Sequence, residues 1–541
     1  MSMQSSGNAT YEIHRIQAPY LQLTIILLGV FMAILDTSIV NVAIPTMETA
    51  LDASTDQIQW VLTAYMLTLG VLIPVSGWLT DKFGARNLFL FSLVVFTIGS
   101  ALCGMAWNLS SIITFRIIQG IGGAFMQPVA MAMIYRIFPP ERRGVIMGVF
   151  GIAMMVAPAS GPVLSGYFVQ YASWRLIFYL NVPIGIVTVL LGLFSLHSFS
   201  HEVKGKLDFW GLVFSTVGFF SLLYGFNSVS SDGWHSATVI VFLVVGVIFL
   251  IAFVLVEIFV SNPMLDLRVL KNYMFSMSLI ISSIISIALF AGIFLLPLYL
   301  QNIMGYTAMR TGLFMTPAAL ATAVMMPISG KLFDKIGARP LGILGLIIIT
   351  GATFGFTTLG LQSSSANIQW LYIIRSIGMG LTMMPVMTAG MNTVPLHLVS
   401  QGTAMTNTVR QVSSSLGTAV LTSYMTTQAT KATSQLSWKV TGTSPSSYGL
   451  TELQQMFQMK GMDVTHAVGA AKSLMYGLIN KQGFVMGMND TFFVAAILTA
   501  IAWVLMFAYA SDKERQIRRG RQPKPSPQKQ SIASPKEFIL E

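Results

Sequence analysis

The sequence predicts an all-α integral membrane protein: two pseudo-symmetric six-helix bundles plus two extra transmembrane helices, fourteen in total. Three observations carry that expectation. Of 541 residues, 54% are hydrophobic and 9% charged, with a mean hydropathy of +0.70, whereas a soluble globular chain carries about 25% charged residues. Apolar runs of about 20 residues, the length that crosses a hydrocarbon core, recur along the chain. A ten-residue motif with Gly, Asp, Gly and Arg at fixed spacing also occurs once in each half of the sequence.

Taken in order, the spans are expected near 20–44, 57–78, 88–107, 109–135, 144–168, 176–197, 209–228, 238–260, 275–300, 312–333, 341–361, 369–393, 403–426 and 486–509. Basic residues in short loops orient such chains. Lys82 and Arg86 follow the second span, Arg136, Arg142 and Arg143 the fourth, Lys204 and Lys206 the sixth, Arg268 and Lys271 the eighth, and Lys335 and Arg339 the tenth. The first span is instead followed by Glu48, Asp52 and Asp56. Both termini are therefore expected on the cytoplasmic side. The net charge of +11 fits basic loops and tail rather than nucleic acid. The lone Cys103 sits in an apolar run, has no disulfide or metal partner and reads as small filler.

The expected organisation is a cytoplasmic N-terminus at 1–19, a six-helix bundle over 20–200, an inserted helix pair with linkers over 201–270, and a second bundle over 271–510. The second bundle contains a long extracellular loop at 428–489. Its first part, Ser434 to Gly449, reads as a loop; its second reads as one or two amphipathic helices packed as a flap on the pore mouth, or as a lid over substrate exit. From 511 to 541 the tail is rich in Lys, Arg, Pro and Ser and is expected to be disordered. Its basic cluster suits anionic lipid headgroups.

The repeat defines the halves. Gly77-Trp-Leu-Thr-Asp81-Lys-Phe-Gly84-Ala-Arg86 follows the second span, and Gly330-Lys-Leu-Phe-Asp334-Lys-Ile-Gly337-Ala-Arg339 follows the tenth. A second echo joins Arg116-x-x-Gln119-Gly120-x-Gly122 to Arg375-x-x-Gly378-x-Gly380. Many secondary transporters are built from repeated halves with the site at their interface. In the loop, the glycines allow close approach, the Asp can cap a neighbouring helix N-terminus, and the Arg can grip a carboxylate. Together these eight residues read as a gate that holds helices shut and releases them as the halves rock; the simpler reading is a tight turn.

One carboxylate, Asp36, lies deep in the first span. A charge there costs roughly 2.5–3.5 kcal/mol on insertion scales and usually marks a pathway or relay. Asp36 lies 16 residues beyond Tyr20, about 24 Å along the helix. Arg116 enters from the opposite face, about 12 Å in. The two are within reach of each other. A nearby arginine favours the ionised carboxylate and desolvation the neutral one, so a balanced site can exchange a proton. The expectation is that Asp36 takes up and releases a proton; the alternative is a structural acid permanently paired with a basic neighbour.

These residues carry a resemblance. The two Gly-Asp-Gly-Arg loops resemble the signature loop of the major facilitator superfamily. Leu35-Asp36-Thr37-Ser38-Ile39-Val40-Asn41-Val42-Ala43-Ile44-Pro45 resembles the first-helix motif of its fourteen-helix drug:proton antiporters, the EmrB/QacA type, as does Trp174-Arg175-Leu-Ile-Phe-Tyr-Leu-Asn181-Val-Pro183-Ile-Gly185. Gly161-Pro162-Val-Leu-Ser165-Gly166 resembles the antiporter motif, with Ser165 where the pattern usually has Gly.

The resemblance implies the major facilitator fold, a bacterial cell (inner or plasma) membrane, and proton-coupled export of small lipophilic or monovalent cationic compounds by alternating access. It assigns Arg116 to proton coupling with Asp36, places Asp36, Asn41 and Gln119 as candidates for the substrate cavity, and gives Gly161, Pro162 and Gly166 a sealing role. No cofactor or metal is expected, the proton gradient being the energy source. The expected partners are small lipophilic substrates and membrane lipids, not nucleic acid. The chain is expected to work as a monomer, with an accessory periplasmic adaptor left open. Dication exporters of this type carry further acids in the tenth and thirteenth helices; here 312–329 and 403–426 carry none, which points to one-proton exchange and away from divalent cargo.

The alternative function is a proton-coupled importer of a small nutrient or metabolite. An enzyme is not expected: the six His are scattered, and there is no Ser-His-Asp spacing, metal cluster or phosphate loop. Gly120-x-Gly122 lies mid-membrane, where it cannot serve a nucleotide.

Overall fold

The computed structural model describes residues 18–198, 208–260, 262–439 and 445–509. The expectations for the N-terminus, for the lysines at 204 and 206 and for the basic tail lie outside the described residues. The helices are α1 Pro19–Ala50, α2 Thr55–Phe83, α3 Ala85–Gly104, α4 Leu109–Ile137, α5 Arg143–Tyr171, α6 Leu176–Ser195, α7 Phe209–Asp232, α8 Ala237–Phe259 and α9 Tyr273–Asn302. They continue as α10 Ala308–Ile336, α11 Ala338–Gly355, α12 Ser365–Met391, α13 Val399–Lys439, α14 Pro445–Met459 and α15 Val464–Ala508. No strand occurs among the described residues.

Among the described residues, thirteen helices are long and apolar enough to span a membrane. The remaining long helix, α13, is more polar, but it buries Ser400, Thr403, Thr406, Asn407 and Thr408 against the bundle. With α13 the spanning helices among the described residues number fourteen. The most apolar, α8, leaves Ile240, Val244, Val247 and Ile251 exposed, as a helix facing hydrocarbon does.

Local chemistry sets the helix ends and bends. Asn108 caps α4 by accepting from Ser111 N at 2.8 Å, and Ser111 Oγ accepts in return from Asn108 N at 3.1 Å. In α2, Pro74 supplies no N–H, and a 3-10 turn at Ile73–Val75 joins Trp60–Leu72 to Ser76–Phe83. Gly84 and Gly337 adopt φ of 82° and 84° at matching turns, between α2 and α3 and between α10 and α11. Residues with a Cβ rarely adopt such angles.

The repeat extends to packing. α3 packs on α4 and α11 on α12; α1 packs on α6 and α9 on α15; α2 packs on α4 and α10 on α12. The halves meet along α5 with α10 and along α2 with α13. The inserted pair packs closely, since a Cβ on Gly246 of α8 would lie 2.7 Å from Leu222 N of α7. Helix α7 also reaches both halves. It packs on α2 and on α13: Asn227 Nδ2 donates to Thr63 Oγ1 of α2 at 3.2 Å, Tyr224 stacks on Trp60 of α2, and in the turn just after α7 Trp234 Nε1 donates to Ser423 Oγ of α13 at 2.7 Å.

One expectation is corrected here. The stretch from Ser434, read as loop, is helical to Lys439 as the end of α13. The cause lies in α15, where Gly483 and Gly487 let the two backbones approach: a Cβ on Gly487 would lie 2.6 Å from Ala429 N. The partner helix thereby sustains a polar sequence well past the span. At the end of α8, Glu257 is buried and accepts from Leu265 N at 3.3 Å, because the chain folds back over it.

Candidate functional site: a buried ion pair and an arginine-lined cavity

Asp36 and Arg116 are both fully buried and form an ion pair, Arg116 Nη1 donating to Asp36 Oδ2 at 2.5 Å. Gln119 Nε2 and Asn181 Nδ2 donate to Asp36 Oδ1 at 2.8 and 3.0 Å. The guanidinium also donates from Nη1 to Gln119 Oε1 at 2.8 Å and from Nε to the Val61 carbonyl at 3.0 Å, and it lies 4.2 Å from the centroid of the Tyr65 ring. Arg116 and Gln119 share a face of α4 because they are three residues apart. The glycines around them bring the neighbouring helices in. A Cβ on Gly99 of α3 would lie 2.6 Å from Gln119 N, and one on Gly120 would lie 2.9 Å from Thr68 of α2.

The network therefore ties together α1, α2, α4 and α6 inside the N-terminal half. Asp36 and Gln119, expected to line a substrate cavity, are enclosed within this bundle with no exposed surface. Asn41 is exposed and takes no part. Five residues beyond Asp36 it has turned about 140° round the helix, which puts it on another face. Asn181 and Ser100 were not among the expected site residues. Asn181 Nδ2 also donates to Ser100 Oγ at 3.2 Å. Its sequence signal was an amide within an apolar run, where polar groups seldom go unpartnered.

Chemically, this arrangement resists partial change. Protonating Asp36 would remove the counter-charge of a buried guanidinium, and uncompensated buried charges of this kind cost about 3–5 kcal/mol. Relief requires helix movement or water entry.

The second half keeps the arginine without the acid. Arg375 is 1% exposed and donates from Nη2 to the Ala288 carbonyl at 2.5 Å and from Nε to Thr353 Oγ1 at 3.2 Å. Ala288 lies just before a π-turn at Ala291–Leu295 of α9, a distortion that redirects carbonyls away from their usual helical partners. A Cβ on Gly292 would run into the guanidinium.

On the face that carries the basic loops, side chains cross between the halves. Asp81 accepts from Gln401 Nε2 at 3.0 Å and from Arg136 Nη2 at 3.4 Å, and Arg136 also donates to Ser400 Oγ at 2.8 Å. Asp334 accepts from Gly144 N and Val145 N at 3.2 and 3.3 Å, capping the positive end of α5. Arg143 donates to Asn392 Oδ1 at 3.0 Å. A Cβ on Gly77 would lie 2.8 Å from Gln401 Oε1, and one on Gly330 would lie 3.1 Å from Val145 Cα. This face is closed. Arg86 differs from expectation: it donates to the Leu193 carbonyl at 2.6 Å rather than to a carboxylate. It starts α3 beside the end of α6, where carbonyls lack helical donors.

The antiporter-like stretch of α5 faces α1 and α10. Pro162 has no N–H for the carbonyl of Pro158, and Ser38 Oγ donates to that carbonyl instead at 2.8 Å. A Cβ on Gly161 would lie 2.7 Å from Ser38 Cβ, one on Gly312 would lie 2.9 Å from Pro162 Cβ, and one on Gly166 would lie 3.6 Å from Met309 Sδ.

A small cavity of about 20 Å³ lies in the C-terminal half between α9, α12 and α13, with Ser282, Ser286, Met383, Met387, Thr406 and Arg410 among its walls. None of the expected site residues lines it.

Two pseudo-symmetric six-helix halves, tightly apposed on one face and carrying a buried ion pair, are the architecture of a secondary membrane transporter. The chain matches the Major Facilitator Superfamily model over residues 26–418 and belongs to that family. It is 41% identical over 515 residues to the uncharacterized MFS-type transporter YhcA of Bacillus subtilis, covering 94% of this chain and 96% of that one. It is 30% identical over 497 residues to the multidrug export protein EmrB of Haemophilus influenzae, covering 91% and 96%, which places it in the EmrB-type branch. The proton:xylose symporter XylE shares the fold at a TM-score of 0.57 and 12% identity, over 91% of this chain and 96% of that one. The protein is thus a multi-pass transporter and not an enzyme.

Proposed function

We propose that this transporter exports small lipophilic compounds from a bacterial cell in exchange for protons, acting as a monomer with its basic face and both termini in the cytoplasm. One observation carries the reading: Asp36 is fully buried yet held by Arg116, Gln119 and Asn181 from two other helices. Taking up a proton at Asp36 releases Arg116 and loosens α1 from α4 and α6. Releasing the proton restores the pair. The bundle then has two arrangements that differ by one proton, and the seam along α5 and α10 passes the difference to the other half. The likeness to the EmrB multidrug export protein supports the direction of transport. The basic-loop pattern supports the orientation.

The test is transport by the full chain in proteoliposomes under an imposed pH gradient, with a panel of lipophilic dyes. Asp36→Asn is expected to abolish uphill export while leaving downhill movement of dye. Uphill export by that variant would end the assignment of Asp36 as the coupling residue.

A further inference from the structure

Gln401, the third residue of α13, is buried and has both ends of its amide taken by different parts of the molecule. Its Nε2 donates to Asp81 Oδ2 of the N-terminal half at 3.0 Å, and its Oε1 accepts from the backbone N–H of Asp266 at 3.3 Å. Asp266 belongs to the linker that leaves the inserted helix pair. A carboxylate only accepts and a backbone N–H only donates, so the two together fix which way the amide points. Turned over, the amide would set its oxygen against Asp81 and its NH2 group against an N–H. Gly77 of α2 leaves the room for this: a Cβ there would lie 2.8 Å from Gln401 Oε1. Ordering a long side chain costs rotamer entropy, and a linker already in place supplies that order before Asp81 arrives.

The linker is itself held. Met264 and Leu265 are buried in the same apolar cluster as Val399 and Met405 near the start of α13. The Asp266 side chain accepts from Arg268 N at 2.9 Å and starts a 3-10 turn at Leu267–Lys271. From the other side Glu257, at the end of α8, accepts from Leu265 N at 3.3 Å. Its carboxyl faces Gly211 of α7, where a Cβ would lie 3.1 Å from Glu257 Oε1. The Asp208 carboxyl faces the same glycine and caps α7 through Gly211 N at 2.9 Å. A continuous line of contacts thus runs from the ends of α7 and α8 through Leu265, Asp266 and Gln401 to Asp81 and its partner Arg136.

We propose that Gln401 is the positioning residue of the closed basic face and that the inserted helix pair sets its grip. Glu257 fixes the linker, the Asp266 N–H orients the amide, and the amide holds Asp81 across the seam. The two additional helices then bear on how readily the basic face opens, although they lie outside both six-helix halves. The inference goes beyond proton exchange at Asp36 and stands whether or not that acid carries the proton.

The test is the distance between spin labels on Asn87→Cys of α3 and His397→Cys ahead of α13, both exposed and on opposite halves. The full chain carries Cys103→Ala and sits in nanodiscs, and pulsed electron resonance gives the ratio of open to closed basic faces. Gln401→Leu is expected to raise that ratio about tenfold, as for a lost hydrogen bond to a charged group. Asp266→Pro deletes the N–H at a φ of −68°, which proline adopts, and should raise the ratio about three- to tenfold. Asp266→Ala loses the side-chain bond but keeps the N–H, and should change the ratio less than about twofold. Glu257→Leu should open the face, whereas Glu257→Gln, which keeps an acceptor for Leu265 N, should not. Gln401→Glu sets two carboxylates together and should open the face at least as far as Gln401→Leu. Adding Asp81→Asn to it restores a donor opposite an acceptor and should bring the closed population back, which a chain that fails to fold cannot do. An unchanged ratio in Gln401→Leu, equal opening by the two variants at Asp266 or by the two at Glu257, or no recovery when Asp81→Asn is added to Gln401→Glu overturns the proposal.

Discussion

Replacing Asp36 with Leu removes the one charge that compensates Arg116, itself among the largest fully buried side chains. The guanidinium keeps only the Val61 carbonyl at 3.0 Å, the Gln119 amide oxygen at 2.8 Å and the Tyr65 ring. Breaking a buried pair from one side in this way costs about 3–5 kcal/mol. Arg116→Leu should cost less, about 1–3 kcal/mol, because Asp36 keeps Gln119 and Asn181 as donors at 2.8 and 3.0 Å and can accept a proton. The double variant replaces both charges with apolar bulk, so its loss should be well under half the sum of the two. The measurement is a double-mutant cycle from reversible unfolding in mixed micelles, followed by tryptophan fluorescence. Losses that add to within about 0.5 kcal/mol would show two independent sites, and the argument that protonation must move helices would then have no basis.

Two further outcomes concern the seam and the start of α15. A Cβ on Gly148 would lie 2.5 Å from Met326 O and 2.8 Å from Pro327 Cα; Gly148→Ile should therefore wedge α5 from α10 and open the basic face. In a Cys103→Ala background, a cysteine placed at Asn392 should label at least several times faster with a membrane-impermeant maleimide, and unchanged labelling would mean that this contact does not hold the face shut. Asp463, ahead of α15, accepts from the backbone N–H groups of Thr465 and His466 and contacts the His466 ring. The His466 contact holds its carboxyl below the ordinary 3.8. A depressed acid stabilises above its unfolded value and loses that contribution as pH falls through the folded one. Amide exchange at Thr465 and His466 should therefore rise as pH drops below about 4 relative to residues a turn further on; protection that persists down to pH about 2 would contradict the cap.

Much of the fold was legible because hydropathy runs, loop charge and the repeated motif are local signals. So was the encounter of Asp36 with Arg116, since depth along two helices follows from a fixed rise per residue. What was hidden depended on neighbours. Helix α13 is too polar to read as continuous helix beyond residue 426, and it is sustained by two glycines of α15 far along the chain. Asn181 joins the ion pair only because α6 packs on α1 and α3. Arg86 turns to a carbonyl because the end of α6 lies beside it. The enclosure of Asp36 could not be read either: an acid in an apolar run looks the same whether it faces a hollow or the inside of a bundle.

The contacts of α7 have a mechanical consequence. With Asn227 bonded to Thr63 on one lobe and Trp234, in the turn just beyond α7, bonded to Ser423 on the other, this segment straddles the seam on the side away from the basic loops. Parting the lobes there means stretching a strap anchored at both edges. Any opening on that side then includes peeling α7 from one edge, so polar grip and aromatic stacking along that edge would set how fast it opens.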